Sequence, residues 1–129
     1  MKLVLDTNVV VSAFINPNGK PSQVVKLILQ HEAELFYNST ILLEYETVMS
    51  RQKFSRFISI DSIYRLIDLI GKIGTSYDPC PSKIFMPDES DRIFYDTAIG
   101  SGSYLISGNL KHYPKKTFIL TPDDLLKQY

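Results

Sequence analysis

Leu3, Val4 and Leu5 form an apolar run that opens almost at the first residue and stops at Asp6-Thr7-Asn8. The run is too short for a helix and has the character of a strand. Its lack of polar alternation means burial on both faces, as in the middle of a parallel sheet. Val9–Ile15 then resumes as an apolar segment suited to begin a helix. Asp6 therefore stands at the C-terminal edge of a buried strand, where ligands sit in open α/β sheets. Asp, Thr and Asn also favour turns and helix N-caps, so the triplet alone does not make a site.

The same rhythm of strand, polar turn and helix repeats along the chain. After the breaker-rich loop Asn16–Pro21, Val24, Val25, Leu27, Ile28 and Leu29 predict a helix fading near His31. Leu35–Tyr37 reads as a second strand ending at Asn38-Ser39. Ser39 or Thr40 is expected to cap a helix over 41–50, which carries Glu44 in its first turns. Arg51–Phe57 is a basic-aromatic connector. Ser59 or Asp61 then opens an amphipathic helix to about Gly74, with Ile60, Ile63, Ile67, Ile70 and Ile73 as its apolar stripe, widened by Leu66 and Leu69 and expected to be buried. A short strand at Thr75–Tyr77, a helix after Asp88–Asp91 ended by Gly100 and Gly102, strands at Tyr104–Ser107 and Phe118–Leu120, and a closing helix over Pro122–Lys127 complete the pattern. It predicts a three-layer α/β/α domain with a mostly parallel sheet of about five strands. At 129 residues, one domain spanning 1–129 is expected.

Composition excludes several classes. No apolar run reaches a membrane span, and Asp6 breaks the only stretch that could resemble a signal peptide. Cys80, the single cysteine, has no internal disulfide partner, which fits a reducing cytoplasm. Fourteen basic residues balance fourteen acidic ones, so binding to nucleic acid must use local patches such as Arg51–Arg56 or Lys111, Lys115 and Lys116.

Chemistry concentrates in the acids. Asp88, Glu89 and Asp91 crowd one helix start, more carboxylates than capping needs, and they repel one another unless a cation or solvent screens them. Right-handed crossovers put strand C-terminal ends on one edge, so Asp6, Glu44, Asp88–Asp91 and Asn109 are expected to converge on one pocket. Carboxylate and amide oxygens are hard ligands that suit magnesium or manganese, whereas zinc wants His or Cys. His31 and His112 are the only histidines. No phosphate-binding Gly-Lys-Ser/Thr loop is present. A metal site built of acids with open positions suits phosphodiester hydrolysis.

Leu5-Asp6-Thr7-Asn8-Val9-Val10-Val11-Ser12, Glu44 within Leu42-Leu43-Glu44-Tyr45, Pro87–Arg92 with Ala98 seven beyond Asp91, and Leu105–Asn109 together resemble a PIN domain. More narrowly, they resemble the prokaryotic PIN-domain toxins of toxin–antitoxin pairs, over essentially the whole chain. The resemblance implies a Mg2+- or Mn2+-dependent endoribonuclease acting on RNA, usually a homodimer, held inactive by a small antitoxin. Asp6, Glu44 and Asp91 match the three main catalytic and metal-binding acids, with Thr7, Asn8, Ser12 and Ser107 in support. Asn109 falls where many members carry a fourth acid or Asn after a Thr, a place Ser107 takes here. With Asn109 neutral, either Asp88 compensates or one metal suffices. Two alternatives remain: a PIN-like binding module with little turnover, and an aspartyl phosphatase. The latter wants a second Asp where Asn8 stands.

Overall fold

The computed structural model describes residues 1–129. In chain order the elements are β1 (Lys2–Leu5), α1 (Thr7–Ile15), α2 (Lys20–Leu29), β2 (Glu34–Tyr37), α3 (Ser39–Met49), α4 (Ile60–Ile73), β3 (Thr75–Ser76), α5 (Arg92–Ser101), β4 (Tyr104–Ile106), β5 (Ile119–Leu120) and α6 (Pro122–Gln128). Single 3-10 turns occupy Gln52–Phe54, Glu89–Asp91 and Leu110–His112. The five strands form one parallel sheet in the order β3-β2-β1-β4-β5.

That order decides where chemistry can occur. From β1 the chain steps outward through β2 to β3, then α5 returns it to β4 on the other side of β1. The strand order thus reverses between β1 and β4, and such a switch point opens a crevice beyond the strand C-termini. Right-handed crossovers put the outward and return connections on opposite faces, giving three layers. β1 is covered on both sides as its composition requires: Leu3 and Val4 are wholly buried and Leu5 nearly so. Burying a side chain of this kind is worth about 1.5–3 kcal/mol.

Register then sets the site. Leu5 pairs with Ile106, and the Asp6 amide donates to the Ile106 carbonyl at 2.9 Å. Asp6 and Ser107 therefore leave the sheet side by side. No helix is long and apolar enough to cross a membrane.

Two local expectations change. The cap of α3 is Asn38, one residue earlier than Ser39 or Thr40. Its side-chain oxygen accepts from the Ile41 amide at 3.0 Å, while its amide nitrogen donates to the Tyr77 carbonyl (3.1 Å) and Thr97 Oγ1 (2.9 Å). A hydroxyl could cap the helix but could not also donate both to Tyr77, just past β3, and to α5. The stripe on α4 is only partly buried. Ile63 and Ile70 are inside, Leu66, Ile67 and Ile73 are half-buried, and Ile60 (64%) and Leu69 (37%) are exposed, because the stripe is wider than the surface α4 packs against. Elsewhere the helix boundaries follow the punctuation. Ser59 caps α4 through the Ser62 amide, and Gly102 ends α5 in the left-handed conformation at φ +69°, which a Cβ disfavours.

Candidate active site

Asp6 caps α1 without a side-chain bond to it, which leaves its carboxylate free to face the crevice. The residue is 5% exposed, and Oδ2 accepts from Ser107 Oγ and from Tyr113 Oη, each at 2.9 Å. Burial and the charges of Asp6 and Asp91 hold the Tyr113 phenol far above its ordinary pKa, so the hydroxyl stays a donor. Two donors fix one carboxylate oxygen and leave the other uncommitted. Below it, buried Tyr45 donates to the Leu5 carbonyl at 2.6 Å and packs against Phe94 with ring centroids 6.2 Å apart. That contact ties α3 to the end of β1.

Asp91 arrives from the other side of the crevice, at the junction of the 3-10 turn and α5. Its pKa is pushed up to about 6, first by burial and then by the negative charges of Asp6, Asp88 and Glu44, with only His112 opposing. Three acids far apart in sequence are thus near enough to shape the titration of a fourth. Glu44 is half-buried on α3 and exerts the weakest of these repulsions. His112 Nδ1 lies 3.6 Å from Asp91 Oδ2, and its Nε2 is 3.1 Å from the Asn109 side-chain nitrogen. In the neutral ring, an Nε2 that accepts from that amide leaves the ring proton on Nδ1, on the side of Asp91.

The other expected residues divide. Asn8 Oδ1 accepts from the Gly108 amide at 3.0 Å, joining the start of α1 to the loop after β4. Thr7 Oγ1 is buried without a hydrogen-bond partner. Asn109 caps the Leu110–His112 turn through the Lys111 amide. Asp88 caps the Glu89–Asp91 turn: its Oδ1 takes both the amide and hydroxyl of Ser90, and these bonds hold its carboxyl below the usual range. Ser12 lies exposed on α1 with no side-chain hydrogen bond, so it is not drawn into the cluster. The acids gather at one edge electrostatically, yet no three His, Cys, Asp or Glu side chains close on a single coordination point.

The sequence profile of the PIN domain matches residues 2–111. The chain belongs to the PIN-domain family. PIN domains are generally nucleases. Among curated proteins, an uncharacterized protein of Methanocaldococcus jannaschii is 27% identical over 110 residues, 84% of this chain and 71% of the relative. Among solved structures, a chain of the crystal structure of VapBC2 from Rickettsia felis, bound to a DNA fragment from their promoter, superimposes with a TM-score of 0.60. It is 18% identical and covers 93% of this chain and 97% of that one, a likeness of fold.

A PIN domain implies a divalent cation, and the donor chemistry here fits one. Asp91 Oδ2 is buried with no hydrogen-bond partner, its charge is opposed by several acids, and apart from the single His112 ring the candidate donors nearby are carboxylate oxygens. Such a set holds hard cations. Tyr113 and Tyr45 are the members that periodicity does not reveal. Tyr45 looks like one more apolar position of α3, and Tyr113 lies in a loop with no pattern.

Proposed function

We propose that this PIN domain, residues 1–129, is a Mg2+- or Mn2+-dependent endoribonuclease, the toxin of a toxin–antitoxin pair. Asp6, Glu44 and Asp91 act as its catalytic, metal-holding acids, with Asn109 and the free oxygen of Asp88 as further donors. The observation that carries the reading is the half-buried, under-compensated charge of Asp91 facing Asp6 across the β1–β4 switch point. When bound, the divalent cation activates water and stabilises negative charge developing on the phosphate. Ser107 and Tyr113 hold Asp6 in one rotamer, so it needs no reorganisation. Asn8 and Asn109 fix the loop that forms the other wall. Burial of Asp6 and partial burial of Asp91 lower the local dielectric and strengthen each charge interaction there.

An antitoxin partner is supported by the fold likeness to a complex named VapBC2, and by an apolar groove on this chain. The groove, about 260 Å3, runs between α1, α2 and α4 and is lined by Val10, Phe14, Val25, Leu29, Leu66 and Leu69. A homodimer and a cytoplasmic location, with exposed Cys80 kept reduced, complete the reading.

The test is RNA cleavage with Mg2+ or Mn2+, set beside RNA binding in chelator, for wild type and Asp91→Asn. Cleavage falls by orders of magnitude in the variant while binding persists. Equal cleavage by both removes Asp91 from catalysis. A second reading, a PIN-like RNA- or partner-binding module with little turnover, draws on the neutral Asn109 and the open spacing of the acids. It is favoured if wild type binds structured RNAs and cleaves none with either metal.

A further inference from the structure

The carboxylate cluster that suits a cation also repels an RNA strand, so something beside it must hold the phosphates. The turn Leu110–His112 and the segment after it answer this. His112 faces Asp91, while its neighbour Lys111 lines a concavity of about 280 Å3 with Leu110, Tyr113, Pro114, Lys115, Lys116 and Ile119. Lys111, Lys115 and Lys116 are exposed, and none forms a salt bridge. Leu110, Pro114 and Ile119 supply an apolar floor. Tyr113 is the wall common to both places, since its hydroxyl donates to Asp6. The other basic stretch, Arg51–Arg56, makes no salt bridge to the acids.

We propose that this concavity is a nucleotide subsite for the RNA strand, next to the acidic site and separate from it. Phosphates flanking the scissile bond rest on Lys111, Lys115 and Lys116, and a base covers the apolar floor. The strand then reaches Asp6 and Asp91 past Tyr113 with its repulsion offset. Unpaired lysines give up no existing partner when they neutralise phosphate, and they release counter-ions from the strand. The proposal rests on the nuclease reading and deepens it.

The test uses the full chain in chelator and a fluorescein-labelled, unstructured single-stranded RNA, read by anisotropy over a range of salt. The site variant carries Lys111→Gln, Lys115→Gln and Lys116→Gln. A charge-matched control carries Lys2→Gln, Lys26→Gln and Lys72→Gln, none of which lines the concavity. Three lost phosphate contacts lower the slope of log affinity against log salt by about 2 and weaken binding on the order of 10- to 100-fold at low salt. The control stays close to wild type, and both variants keep wild-type thermal stability. An unchanged slope in the site variant, or an equal loss in the control, overturns the subsite. Wild-type cleavage of the same RNA with Mn2+, run in parallel, reports separately on the nuclease reading. If wild type cleaves and the site variant binds normally, only the subsite fails; if wild type neither cleaves nor binds, both fail.

Discussion

Replacing Asp91 by Asn is expected to stabilise the metal-free protein, the reverse of the usual result of altering a half-buried residue. Asn keeps the shape and removes the charge that Asp6, Asp88, Glu44 and burial all oppose. The size follows from the titration. Asp91 titrates at about 6 in the fold, against 3.8 for an ordinary Asp. At about 1.36 kcal/mol per unit, full conversion gives roughly 3 kcal/mol. The side chain is 13% exposed and the crevice is open to water, so about half of that, ~1.5 kcal/mol, is expected. The sign runs with the raised pKa. Wild-type stability is fully present below the unfolded pKa and is lost as pH rises through about 6, while the uncharged amide of the Asp91→Asn variant contributes no such slope. The advantage of the variant is therefore near zero at about pH 4, grows across the window to about 6, and levels off by about pH 7. Urea denaturation in EDTA at a series of pH values measures it directly, and thermal melting should show about 4–6 °C at neutral pH. A variant less stable than wild type at neutral pH, or a difference independent of pH, refutes the uncompensated-charge argument.

Adding Mn2+ or Mg2+ to wild type should raise its melting temperature in a concentration-dependent way, and Asp91→Asn should lose most of that rise. Tyr113→Phe removes one of two donors to Asp6 and should cost about 1.5–3 kcal/mol in neutral-pH denaturation; no loss would mean that Ser107 alone orders the carboxylate. Tyr45→Phe strands the Leu5 carbonyl and should cost about 1–3 kcal/mol, measured the same way. Leu69→Glu puts a charge in the apolar groove. It should leave stability within about 0.5 kcal/mol and abolish capture of a co-expressed antitoxin if that groove is its seat.

Local chemistry made much of this protein readable. The unbroken apolar run Leu3–Leu5 required a strand covered on both faces, and β1 lies at the centre of a parallel sheet. Ser59, Thr121 and Gly102 mark helix ends because caps act within a few residues of the ends they satisfy. The cluster Asp88–Asp91 stood out because too many acids crowded one helix start, and the PIN resemblance singled out Asp91 within it. Position along the chain could not tell which neighbours these residues would meet. Asp6 meets Ser107 because Leu5 pairs with Ile106, a matter of strand register. Tyr113 reaches Asp6 only because the loop after β4 folds back over the switch point. Asn38 displaced Ser39 and Thr40 as the cap because a side chain that both accepts and donates could join α3, Tyr77 just past β3, and α5 at once. The stripe of α4 was legible as a stripe, but how much of its width is covered depends on the partners packed against it, so Ile60 and Leu69 face water. The elements and most of their ends follow from the order of residues, because each depends on neighbours close together in the chain. Which acids oppose one another, and which hydroxyls hold them, was settled only by folding, because charge and hydrogen bonding act across space and register sets those distances.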